Sequence, residues 1–175
     1  MAPHGGTTGN GRSGARAATP RGETTVSLAR GAAKDYDPQG DDEEHGDEAA
    51  LALDGDPGTT WTTENYRDDV ITGPSGPKGV GLYVDAKPEV AATSMLIQTP
   101  KSGWKATIYA APAGKVPAGI DGWTKVGGGR VAKRKQRFQL DTDDESYRYY
   151  LIWITGLPKG AQSVGVGEVS LTQET

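Results

Sequence analysis

The chain has 175 residues, a formal net charge of −4 and 34% apolar content, with 26 glycines and 11 prolines. That length suits one domain with extensions, and the low apolar share leaves part of the chain outside any core. Cysteine is absent and histidine is limited to His4 and His45, which excludes disulfide staples, thiol nucleophiles and cysteine zinc sites and leaves a histidine-dependent triad to rest on His45 alone.

The charge is distributed in blocks. Residues 1–34 carry five basic and one acidic side chain, 35–69 one basic and thirteen acidic, 70–140 eleven basic and three acidic, and 141–175 two basic and six acidic. Such polarity predicts surface faces of opposite sign. No stretch approaches the ~18 apolar residues of a membrane span. The residues after Met1 are polar and read as no secretory signal, so work outside the cytoplasm would require a further segment.

Residues 1–25 read as a disordered linker, because Gly5 to Gly14 lacks apolar periodicity and cannot repay the entropy of ordering. The domain is expected over 26–175. Glu43 to Leu53 is the one plausible short helix. Strands follow at Gly81–Asp85, Thr93–Thr99, Trp104–Ala110, Trp123–Val126, Arg137–Asp141, Arg148–Thr155 and Val164–Leu171. The segment Arg148–Thr155 reads as a central strand. In the last, the inward set is either Val164, Val166 and Glu168, or Gly165, Gly167, Val169 and Leu171. Gly/Pro turns punctuate them, among them Pro112-Ala113-Gly114 and Gly127-Gly128-Gly129. Many short strands with regular punctuation predict an all-β fold, an antiparallel β-sandwich.

The segment Ala52 to Thr63 carries Ala-x-Asp-Gly-Asp-x-x-Thr-x-Trp-x-Thr. After it come Val80 to Asp85, Ile108-Tyr109, Trp123 to Val126, Arg148 to Leu151 and Gly167 to Leu171. In that order the motifs resemble the galactose-binding-like, discoidin (coagulation factor 5/8 type C) jelly roll over roughly residues 26–172. More narrowly, with the acidic entry Asp35 to Asp41, they resemble the extracytoplasmic C-terminal domain of actinobacterial MviN/MurJ-type lipid II flippases and related kinase-like membrane proteins. The resemblance implies a noncatalytic recognition domain in the cell envelope, part of a membrane-anchored protein. It would bind carbohydrate or a cell-wall precursor or polymer, or instead serve as an accessory domain for an envelope protein. A monomer is expected.

An EF-hand is excluded, since Asp35-x-Asp37-x-Gln39-Gly40 has Gly46 where the bidentate Glu should stand. The resemblance implies a different, structural Ca²⁺ site, with Asp54, Asp56, Thr59 and Glu168 as ligands. Hard oxygens suit Ca²⁺. Alternatively Asp54 caps the turn, and Glu168 accepts from backbone N–H groups or pairs with an Arg.

Sugar binding needs an aromatic platform with polar neighbours. Trp61 and Trp153 read as core, and Trp104 and Trp123 fit core positions as well. Tyr66, flanked by Asn65 and Arg67, is then the best exposed candidate, with Tyr36 beside the acidic loop. The basic run Arg130 to Arg137 reads as a charged edge that resists edge pairing, or as a patch for anionic polymers. Nucleic acid is not expected, because the total charge is negative and no nucleic-acid motif is present. No nucleophile elbow, phosphate loop or zinc-protease motif is present either, and an enzyme is not expected.

Overall fold

The computed structural model describes residues 21–67, 70–73 and 76–175. The expected linker falls largely in residues 1–20, outside the described residues.

The run Tyr147–Gly156 organises the molecule. Its side chains alternate, as a strand requires, but both faces are apolar. Tyr150, Ile152 and Ile154 join the main core, while Tyr149, Leu151 and Trp153 join a second cluster on the opposite face. A strand with two apolar faces must sit mid-sheet and be covered twice.

Among the described residues, thirteen strands follow chain order. Early come β1 (Glu23–Thr25), β2 (Ala33–Tyr36) and β3 (Trp61–Thr62), then the short pair β4 (Thr72–Gly73) and β5 (Gly76–Pro77). The long strands β6 (Val80–Val90), β7 (Ala92–Gln98) and β8 (Trp104–Ala111) are followed by β9 (Thr124–Val131) and β10 (Lys135–Gln139). The chain closes with β11 (Tyr147–Gly156), β12 (Gly165–Val166) and β13 (Glu168–Glu174). A four-stranded sheet runs β1-β13-β7-β10 and a five-stranded sheet runs β2-β6-β11-β8-β9, with every pairing antiparallel. Leu82 and Val84 of β6, Ile108 of β8 and Ile152 of β11 share one core with Met95 and Ile97 of β7 and Leu171 of β13. The fold is the predicted antiparallel β-sandwich.

Between β6 and β7 the chain passes from one sheet to the other. The Tyr150 hydroxyl fastens that crossing: it donates to the Val90 carbonyl at 2.5 Å and accepts from the Ala92 N–H at 3.1 Å. Burial pushes this phenol up to about 12, so it stays a neutral donor at physiological pH.

Trp61 is fully buried, as expected, and its indole donates to the Glu44 carbonyl at 2.8 Å. Three local expectations are corrected. The sandwich begins at β1, because Glu23–Thr25 pairs with Thr172–Glu174, inside the stretch read as linker. The expected helix over 43–53 is a 3₁₀ helix limited to Gly46–Leu53, preceded by His45 at φ 53°. Gly127-Gly128-Gly129 is part of β9 rather than a turn. Gly128 is required there: its φ is +123°, and a Cβ would meet the Ala106 carbonyl oxygen at 2.5 Å.

Ile152→Ala is expected to cost about 2–5 kcal/mol, because the fully buried site lies between two paired strands and cannot collapse. Urea unfolding monitored by tryptophan fluorescence measures it.

Candidate functional site

The outer face of the five-stranded sheet is only partly covered. The loop after β8 folds back over it and is held by aromatic hydroxyls. Tyr149 Oη donates to the Gly114 carbonyl at 2.9 Å, and Tyr36 Oη donates to the Pro117 carbonyl at 2.7 Å. Tyr36 in turn accepts from Trp123 Nε1 at 3.0 Å. Its ring meets those of Trp123 and Trp153 edge-on at 5.5 and 6.0 Å, the arrangement favoured by the ring quadrupoles.

Where this cover ends, at Ile120, a cavity of about 440 Å³ opens beside Trp153. Val70, Ile120 and Leu157 provide apolar walls, and Gln39, Lys78, Lys105 and Thr155 the polar groups. Gly79 closes over the indole. A Cβ there would lie 2.2 Å from Trp153 Cε2, so any larger residue would displace the ring.

The four indoles differ in one respect. Trp61, Trp104 and Trp123 donate to Glu44, Thr99 and Tyr36 respectively. Trp153 makes no indole hydrogen bond to another described residue, and it lines the cavity. A donor left open beside an apolar ring suits a ligand with an apolar face and hydroxyl edges.

Lys78 Nζ lies 3.1 Å from Asp37 Oδ1, with both side chains largely buried. This pair anchors the acidic entry segment against the cavity wall. Lys105 is exposed and has no carboxylate partner among the described residues.

The predicted ligand residues stand elsewhere. Tyr66 is not an exposed platform. Its ring packs against the main core and its hydroxyl donates to Glu44 Oε1 at 2.8 Å, which with burial holds the phenol far above its usual range. Tyr36 is buried under the loop cover. Asn65 and Arg67 are exposed. Trp153, read as core, is buried in the second cluster as expected, and it also lines the cavity. The sequence does not show its place beside the cavity, because an apolar run shows no difference between its two faces. The polar Thr155, two residues on and on the same face, is the only local signal.

The expected cation ligands do come together. Gly55 N–H donates to Glu168 Oε2 at 3.0 Å, and Asp54 accepts from the Asp56 N–H at 2.9 Å and the Thr59 hydroxyl at 2.5 Å. Asp56 accepts from the Gly58 N–H at 2.8 Å. The Thr59 hydroxyl holds the Asp54 carboxyl below its usual range, whereas burial and the charges of Asp54 and Asp56 push Glu168 up. The donors are hard oxygens of the kind Ca²⁺ takes. Among the described residues, however, no three acidic or imidazole side chains converge into a cage, and backbone N–H groups already engage these carboxylates. The capping role weighed for Asp54 is present.

Glu44, in the acidic run Asp41 to Glu44, is completely buried. Its Oε1 accepts from Tyr66 and from the Glu64 N–H at 2.7 Å, while Oε2 has no partner among the described residues.

No family model matches the chain, and no curated protein matches it. Solved structures do. The family 32 carbohydrate-binding module of Clostridium perfringens NanJ, in complex with galactose, is 17% identical, with a TM-score of 0.59 over 86% of this chain and 99% of that one. The family 32 module of AlyQ, in complex with 4,5-unsaturated mannuronic acid, is 14% identical, with a TM-score of 0.60 over 85% and 97%. A Ruminococcus gnavus GH29 fucosidase in complex with fucose is 13% identical with a TM-score of 0.59, and the chain spans 27% of its length. Likeness at this identity shows the fold, a galactose-binding-like β-sandwich. The narrower resemblance to flippase and kinase-like membrane proteins draws no support from these structures.

Burial raises the Glu44 carboxyl, and the Asp37 and Glu64 charges add to the rise against the pull of its two hydrogen bonds. A carboxyl raised in the folded state favours folding below its unfolded value, and that contribution is lost as pH rises through the folded value. Glu44→Gln is therefore expected to be more stable than the parent at pH 7, with the advantage vanishing near pH 4, about the unfolded value. Urea unfolding at the two pH values measures it.

Proposed function

We propose that the chain is a noncatalytic carbohydrate-recognition domain whose sugar lies against Trp153. The observation that carries this is Trp153 in the lining of an open cavity with apolar walls and a polar rim, its indole N–H without an acceptor among the described residues. A pyranose has the matching shape, with one apolar face and hydrogen-bonding edges. The cavity volume falls in the usual range for small-ligand sites, about 300–1,000 Å³. No carboxylate lines it among the described residues, whereas glycosidic hydrolysis commonly needs two. Sandwiches of the same fold have been solved with galactose and with an unsaturated uronic acid.

The sequence resemblance supports placing the domain outside the cytoplasmic membrane, carried by a membrane-anchored envelope protein, with cell-wall polymer as its ligand. The alternative is an accessory domain for an envelope protein. It is favoured by Tyr66 and Tyr36, whose hydroxyls are tied within the fold. Isothermal titration against a panel of neutral and acidic oligosaccharides and muropeptides separates the two. At least one glycan is expected to bind, and Trp153→Ala to weaken it tenfold or more, with Trp153→Phe between. Silence across the panel, or a Trp153→Ala protein that binds unchanged while folded by circular dichroism, would overturn the sugar reading.

A structural Ca²⁺ at Asp54, Asp56, Thr59 and Glu168 belongs to the same proposal. Burial raises Glu168 and the charges of Asp54 and Asp56 add to the rise, a cost that a cation would relieve. Excess Ca²⁺ is expected to raise Tm and EDTA to lower it, and Glu168→Gln to abolish the difference. A Tm indifferent to both reagents rules the ion out.

A further inference from the structure

The Trp153 cavity continues sideways. A second cavity of about 310 Å³ shares Lys105 and Thr155 with the first and extends over β9. Gly127, Gly128 and Gly129 pave it. The close approach of Gly128 to the Ala106 carbonyl and its left-handed φ keep that floor free of side chains. The two cavities span β11, β8 and β9, two interstrand steps or roughly 10 Å. That is room for a second sugar beside the one over Trp153.

Among the described residues the charge along this groove is of one sign. Lys78 and Lys105 line the first cavity, and Lys105, Lys125 and Arg130 the second, with no Asp or Glu lining either among the described residues. Only Lys78 is paired with a carboxylate among the described residues; Lys105, Lys125 and Arg130 are not. Arg130 also reaches across the rim, since a Cβ on Gly103 would lie 4.0 Å from its Nη2. The whole chain carries a net charge of −4, so an all-cationic groove is a local feature and not a reflection of total charge. Unpaired cations along a groove attract a repeating anion and steer its approach.

We propose that this groove takes an acidic polysaccharide of carboxylate-bearing sugars. One residue lies against Trp153, and the carboxylate of the next is held by Lys105, Lys125 and Arg130. This rests on the sugar reading and adds the class of sugar and the direction in which the chain runs. A uronic acid combines a ring face for the indole with a carboxylate for the cations.

The experiment titrates the full chain and its Lys125→Ala/Arg130→Ala double variant with four probes. These are a polyuronate trisaccharide, the same trisaccharide methyl-esterified, galactose and polyphosphate. The substituted positions are exposed, and thermal unfolding confirms that the variant folds. The trisaccharide is expected to bind at least tenfold tighter than its ester. That preference should shrink several-fold between 0.05 and 0.5 M NaCl and disappear in the double variant. Equal affinity for acid and ester, or a preference untouched by the double substitution, would overturn the inference and leave the sugar reading standing. Polyphosphate binding as tight as the trisaccharide, and surviving Trp153→Ala, would replace both readings with a nonspecific polyanion surface. Failure of every probe to bind would remove both.

Discussion

The molecule depends on one strand that must be buried twice. β11 is apolar on both faces, and each face demands its own cover. The inner face, through Tyr150, Ile152 and Ile154, packs against the four-stranded sheet and forms the sandwich. At roughly 25 cal/mol per Å² of apolar area removed from water, this is the largest favourable contribution the strand can make. The outer face has no third layer to meet. It is covered by aromatic rings from β2 and the turn before β9, together with the loop they hold down.

That second cover stops short. The loop after β8 shields Tyr149 and Leu151 but ends at Ile120, so the Trp153 end of the strand faces an open cavity. The site is thus a consequence of incomplete burial. An aromatic side chain needed by the sheet for packing is left beside a cavity, its N–H without an acceptor among the described residues. The glycines at 79 and 128 belong to the same geometry, one closing onto the indole and the other letting β9 pass against β8.

Buried charge follows a similar logic on the acidic side of the molecule. Asp37 is compensated by Lys78, and Glu44 by Tyr66 and a backbone N–H. These contacts tie the acidic entry segment to the loops around the cavity. They also explain why Tyr66, which sits in a polar neighbourhood in the sequence, is withdrawn from solvent. Its hydroxyl is the partner Glu44 requires once buried.

The sequence by itself determined the strands and the class of fold. Alternation in Trp104 to Ala110, the two-faced run at Arg148 to Thr155, and regular Gly/Pro punctuation act locally, over a few residues each. The order of motifs from Asp54 to Leu171 placed them in a galactose-binding-like sandwich, and Trp61 in its core. The turn at Asp54 to Thr59 lies beside Glu168, and the carboxylates of Asp54, Asp56 and Glu168 accept from backbone N–H groups there. Tertiary structure alone decided the candidate site. Whether Trp153 faces the core or the open depends on how far a loop forty residues earlier in the chain reaches across the sheet. Lys78, Lys105, Lys125 and Arg130 form one groove only because β8, β9 and the segment before β6 converge on one sheet face. No local spacing records that convergence, because strand pairing joins residues that are distant along the chain.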